Sequence, residues 1–215
     1  MITDKRRMRL YVTMSQRLTR DSLLHQLLLL DDIDLVGESD TGIDTLNRLT
    51  DARPGVLIIE ESLVDNDGLT IAENALSLSP SLSILLICET PVNPGRLAIY
   101  LESGIKAVIS KHQPIQDLIK TLYYIRNGQV YVSSLQTPDA ATSSLMDAYH
   151  ALSGREREVA QLIARRVPMK EIAEQLEVSC KTVHSYKDRI FAKLGFERLP
   201  ELILFIKRHH RETAA

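Results

Sequence analysis

GVLIIEESLVDNDGLT, residues 55–70, decides the fold of this chain. Four apolar residues, Val56 to Ile59, run into two acids, Glu60 and Glu61, and a turn-rich segment holding Gly68 follows. A short continuous apolar run bounded by turn signals reads as a strand buried on both faces, the habit of parallel sheets. Ending it in carboxylates delivers charge to the edge of the sheet. Adjacent strand residues point to opposite faces. Glu60 and Glu61 therefore cannot share a substrate as an acid/base pair, and no enzyme activity is expected.

The same alternation extends outward. LYVTM (10–14), IDLVGES (33–39), SILLICE (83–89) and KAVISK (106–111) read as further strands. TRDSLLHQLLLL (19–30), TGIDTLNRLTDA (41–52), LTIAENALSLS (69–79), PGRLAIYLESG (94–104) and PIQDLIKTLYYIRNG (114–128) carry apolar residues at helical spacing. Asp21 or Thr19 is available to start the first helix. Five βα units predict an α/β fold, a doubly wound (βα)5 parallel sheet over residues 1–130. Ligands of such sheets sit at the carboxyl ends of the strands, where Glu60 stands.

Residues 131–149, YVSSLQTPDAATSSLMDAY, read as a Ser/Thr/Ala-rich linker with a short helix near Leu145–Tyr149. From 150 to 215 the pattern is all helix. Ser153 with Glu156 three residues on forms a capping-box signature. Pro168 stands near the start of a short helix. Gly195 closes a longer helix that begins at Cys180, and a fourth helix spans Leu199–His209. A short helix, a tight turn and a longer helix with polar residues match helix-turn-helix organisation.

Charge divides along the same boundary. Residues 1–130 hold 13 Lys+Arg and 17 Asp+Glu, net −4, whereas residues 150–215 hold 13 and 9, net +4. The second segment can attract polyanions. At 44% hydrophobic and 25% charged residues the composition is that of a globular protein. No apolar stretch is long enough to span a bilayer, and the N-terminus lacks a signal-peptide pattern. The two cysteines, Cys88 and Cys180, are far apart without metal-type spacing, so a reducing cytoplasm is expected. No metal site or cofactor is expected either, and His209-His210 reads as a solvated tail.

On a helical wheel of residues 180–194, Val183, Ile190 and Leu194 share one face with Phe191 beside them. Lys181, His184, Ser185 and Asp188 form a separate polar face flanked by Lys187 and Arg189. Lys181, Thr182 and Lys187 are candidate phosphate binders. His184, Ser185 and Asp188 are candidate base readers.

These segments carry a resemblance. LSGREREVAQLIARR, KEIAEQLEVS and CKTVHSYKDRIFAKLG closely resemble the LuxR-type DNA-binding domain over nearly all of residues 150–208. KTVHSYKDRIFAKL looks like the GacA/UvrY branch of response regulators. With the first half similar to a receiver domain, the whole chain resembles a NarL/FixJ-type regulator. RRVPMK departs from the pattern by lacking the Gly and Ser usual before the K-E-I-A helix.

The resemblance implies a phosphoacceptor Asp at the end of the third strand, two Mg²⁺-binding acids after the first, a hydroxyl after the fourth and a Lys after the fifth. Carried over, the acceptor position falls on Glu60, aligned by the Asp67-Gly68 pair. The acid pair falls on Met14 and Ser15, the hydroxyl on Cys88 or Glu89, and the aromatic switch on Val108. Lys111 alone matches. A degenerate receiver that works without Asp phosphorylation is expected, with Glu60 paired to Lys111. The resemblance further implies double-stranded DNA as partner and homodimerisation through the last helix. A protein partner or small ligand at the receiver could supply control. The alternative is an adaptor that heterodimerises with an intact regulator. Tyr131–Ser134 lacks the Trp and Arg of the cyclic di-GMP motif found in some relatives. Cys180, at a helix N-terminus, is a candidate redox thiol.

Overall fold

A computed structural model describes residues 7–90, 92–132 and 145–209. Two compact units emerge: Met1–Val92 with Tyr100–Leu135, and Asn93–Ile99 with Gln136–Ala215.

The first unit is the expected parallel sheet. Its strands are β1 (Met8–Thr13), β2 (Ile33–Ser39), β3 (Val56–Glu60), β4 (Ser83–Cys88), β5 (Ala107–Ser110) and β6 (Tyr131–Val132), in the order β2-β1-β3-β4-β5-β6. Its helices are α1 (Arg17–Leu28), α2 (Gly42–Ala52), α3 (Gly68–Leu78) and α5 (Ile115–Arg126), while α4 (Pro94–Glu102) is divided, its residues up to Ile99 belonging to the second unit. Chain order reverses between β1 and β3, so their carboxyl ends border the crevice where doubly wound sheets place their sites.

Side-chain parity sorts the core. Leu10, Val12, Ile58, Leu85, Ile87 and Ile109 pack with Leu23 and Leu27 of α1 and Leu118 and Leu122 of α5. Tyr11, Leu57, Ile59 and Leu86 are buried on the opposite face. Every residue of β3 is buried, as its uninterrupted apolar run requires.

Two expectations change here. Helix α1 begins at Arg17, ahead of Thr19 and Asp21, and its N-cap Gln16 makes no side-chain cap. Arg20 is the reason: it lies buried, donates to the Met14 carbonyl at 2.8 Å and pairs with Glu38, which pins the first turn. The stretch from 131 does not open as a linker, because Tyr131 and Val132 pair with Ala107 and Val108 as a sixth strand. Residues 145–150 are helical, and the rest of the expected linker lies outside the described residues.

The second unit holds α6 (Gly154–Ala164), α7 (Met169–Gln175), α8 (Cys180–Leu194) and α9 (Leu199–His209). Helix α6 packs on α8 and α9, and α7 on α8. Val159, Ile163, Ile172, Val183, Ile190 and Phe205 form its core. Phe205 meets Tyr149 and Phe196 edge-on, with ring centroids 5.1 and 5.9 Å away. His209 lies against the same ring, tilted, with centroids 4.7 Å apart, so it is a packing residue where the sequence suggested a solvated tail. His210 lies outside the described residues. Also within this unit, the fully buried Arg96 pairs with Glu201 and Glu197, both at 2.8 Å.

The missing glycine in RRVPMK has a structural counterpart. Arg166 takes φ +61°, a left-handed conformation that costs an L side chain about 1–2 kcal/mol. Glycine carries no such steric penalty but loses more backbone entropy on folding. Arg166→Gly is therefore expected to stabilise the C-terminal unit by up to about 1 kcal/mol. A higher urea midpoint by circular dichroism checks it.

Candidate functional site

At the carboxyl edge of the sheet, Glu60 ends β3 with a side chain that is only 3% exposed. Its Oε2 accepts the backbone N–H of Ser15 at 2.8 Å. Lys111, just past β5, brings its ammonium to 2.9 Å from Oε1 and to 2.7 Å from Glu89 Oε2. Burial pulls the Lys111 ammonium down, but the hydrogen bonds and charges of Glu89 and Glu60 outweigh it and hold it above its ordinary value. The hydrogen bond and charge of Lys111 hold the Glu89 carboxyl below the usual range.

The backbone around this cluster is tightly placed. Lys111 N–H donates to the Cys88 carbonyl and Glu61 N–H to that of Ile87, both at 2.8 Å. Gly68 lies so close to β3 that a Cβ there would stand 2.0 Å from the Glu60 carbonyl oxygen. Asp67 caps α3 through Leu69 N–H. The glycine of the Asp67-Gly68 pair is thus a requirement of close approach.

The remaining expected positions have other roles. Met14 is buried and apolar. The Ser15 hydroxyl donates to the Asp40 carbonyl and accepts from Val64 N–H, joining two loops. Cys88 is buried in β4, and Glu89 rather than Cys88 reaches the cluster. Val108 is buried in β5. Mg²⁺ takes hard oxygen ligands in a near-octahedral set. A thioether at position 14 cannot supply one, and the ammonium of Lys111 stands between the two carboxylates. The residues do not fit that ion. Among the described residues no group of three or more His, Cys, Asp or Glu could hold a metal. Glu61, by strand parity, turns away from Glu60 and accepts a hydrogen bond from the hydroxyl of Tyr100.

The second candidate surface is α8. Ser179 caps it, accepting Thr182 N–H at 3.1 Å and sharing a 2.8 Å hydroxyl contact with Thr182. Val183, Ile190 and Leu194 are buried, whereas Lys181, His184, Ser185, Asp188 and Arg189 are exposed. One face thus carries the expected base readers. Thr182 is half-buried and engaged at the cap, and Lys187 folds over the Phe191 ring at 5.4 Å. A shallow groove joins Lys181 and Ser185 to Tyr186 and Arg189. Sequence reasoning passed over Tyr186. Its spacing from Thr182 and Arg189, four residues on and three back, was the available signal.

Helix α8 is also anchored at its far end. Lys193 reaches Glu156 at 2.7 Å, and Glu156 closes the capping box with Ser153. The hydrogen bond from Lys193, then the Ser153 backbone, hold the buried Glu156 carboxyl below its usual range. Cys180 is exposed at the start of α8.

Residues 150–206 match the family described as "Bacterial regulatory proteins, luxR family". Over 186 residues, 80% of this chain and 84% of the relative, the sequence is 31% identical to the oxygen regulatory protein NreC of Staphylococcus epidermidis. It is 27% identical over 205 residues to the response regulator GacA of Pseudomonas aeruginosa, covering 92% and 94% of the two chains. A structure of the two-component response regulator RcsB in complex with DNA superposes with a TM-score of 0.64 at 26% identity, covering 94% of this chain and 99% of that one.

Two outcomes follow from these charges. Lys111→Met leaves Glu60 buried without its cation and is expected to cost about 3 kcal/mol in urea unfolding, much of it recovered in the double variant with Glu60→Gln. Glu156 is depressed in the fold, so its stabilisation is present above the unfolded value of about 4.3 and is lost as pH falls through the folded one. Carboxyl NMR should show a midpoint below about 4.3 that rises in Lys193→Met.

Proposed function

The chain belongs to the luxR-type response regulators, and from that premise we propose that it regulates transcription by binding double-stranded DNA through α8, under control that does not use phosphorylation of its receiver. The carrying observation is the Glu60–Lys111–Glu89 cluster. Phosphoryl transfer to a carboxylate needs a metal and a cation to neutralise developing charge. Here the cation is committed to two carboxylates, and the metal-binding acids are replaced by Met14 and Ser15. The acceptor position itself carries Glu60, one methylene longer than Asp.

DNA binding is supported by the exposed Lys181, His184, Ser185, Asp188 and Arg189 on the surface of α8, by the net charge of +4 over residues 150–215, and by the likeness to the RcsB–DNA complex. Lys181, Lys187 and Arg189 would hold phosphates, and His184, Ser185 and Asp188 would face base edges. A homodimer, paired through α9 as the resemblance implies, would read two half-sites. The adaptor reading needs no exposed polar face on α8, and that face favours the DNA reader.

The test is binding of the untreated protein to genomic DNA fragments, read by sequencing, beside Lys181→Ala/Lys187→Ala. Discrete sites should be enriched without a phosphodonor. The double variant should bind weakly, with a log–log salt slope shallower by about 0.9 for each phosphate it no longer neutralises. Acetyl phosphate should leave both the mass of the protein and its affinity unchanged. Absence of enrichment at every salt concentration would sink the DNA reading. Phosphate incorporation that raises affinity would sink the phosphorylation-free one.

A further inference from the structure

A cleft of about 500 Å³ lies in the first unit between α1 and α5, beside the Glu60 cluster. Its floor is apolar: Met14, Leu23, Ile87, Ile109 and Leu118, each under a tenth exposed. Its α1 wall is different. Thr19, Ser22 and Gln26 follow i, i+3, i+7 spacing and share the face turned to Ile115 and Leu118 of α5. A helix packed against a neighbour ordinarily puts apolar residues at these positions. Here Thr19, Ser22 and Gln26 are exposed and line the cleft.

An apolar floor with convergent hydroxyl and amide groups on the rim is the composition of small-molecule sites, and the volume falls within their usual range. The charge of the surroundings narrows the class. Lys111 and the exposed His112 line the inner end; Lys111 already pairs with Glu60 and Glu89, and those three groups sum to −1. A phosphate or other multiply charged anion would meet two carboxylates there, set against a Lys111 they already share and the His112 imidazole. An uncharged molecule would bury its apolar body on the floor and hydrogen-bond to the wall.

We propose that the α1–α5 cleft is a binding site for an uncharged, amphipathic small molecule. Its use as the signal input rests on the phosphorylation-free reading above, whereas binding itself involves neither DNA nor phosphate. Occupancy would act on the residues that hold Glu60, because Met14 and Lys111 line the cleft while Ser15 N–H and Lys111 Nζ contact the carboxylate.

The probe is N-phenyl-1-naphthylamine, an uncharged aromatic amine whose fluorescence rises in apolar surroundings, titrated onto the full chain. One saturable site is expected. Ser22→Phe and Gln26→Phe, each filling the cleft from an exposed helix position, should weaken it at least about tenfold, while their thermal unfolding matches the parent. Leu18→Ala/Leu28→Ala/Leu29→Ala, which removes exposed leucines of α1 and its end outside the cleft, should leave affinity unchanged. The sulfonated analogue 8-anilinonaphthalene-1-sulfonate should bind more weakly. A signal that does not saturate, that survives both phenylalanine variants, or that disappears with the leucines overturns the site. Equal or tighter binding of the sulfonate overturns the uncharged class. DNA binding of Ser22→Phe, measured alongside, reports on the regulator reading whatever the probe does.

Discussion

A carboxylate buried at the end of the central strand of a parallel sheet has to be neutralised where it stands, and the upper edge of the first unit is organised around that need. Glu60 draws the Ser15 amide from the loop after β1 and the Lys111 ammonium from the loop after β5. Lys111 in turn draws Glu89 from the loop after β4. One charge thus ties four strand ends. Desolvation of an ion is offset only when partners are close and well placed, and the backbone supplies that placement: Gly68 abuts the Glu60 carbonyl, and Lys111 N–H is held by Cys88.

The second unit meets its constraint by a different route. A helix proposed to read DNA has to keep a polar face in water while its other face holds it still. Val183, Ile190 and Leu194 bury one side of α8. Ser179 fixes its start, and the Lys193–Glu156 pair fixes its end to the capping box of α6. Both ends are therefore tied by hydrogen bonds, and the exposed residues are presented from a rigid support. The same logic explains why the α1 wall of the cleft is unlike α8. There Thr19, Ser22 and Gln26 are polar where packing would favour apolar residues, and they line the cleft.

The legibility of these features tracks how local their causes are. The apolar run of β3, the alternation of strands and helices, and the capping box at Ser153 and Glu156 depend on neighbours within a few residues, and each appears in the structure where its pattern stands. The polar face of α8 was readable from a wheel, because helical spacing alone sets which residues share a side. The start of α1 was not, because Arg20 fixes it by reaching Met14 and Glu38. Nor was β6, since Tyr131 and Val132 extend the sheet only where the edge of β5 is open to them.

The sequence by itself determined the parallel α/β unit and the helical C-terminal unit, because periodicity and residue type are properties of the chain. It also allowed a Glu60–Lys111 pair. Only the tertiary structure decided that Lys111 is shared with Glu89 and that α1 and α5 leave a cleft between them. Those outcomes depend on distances between segments dozens of residues apart, which packing sets and spacing along the chain does not encode.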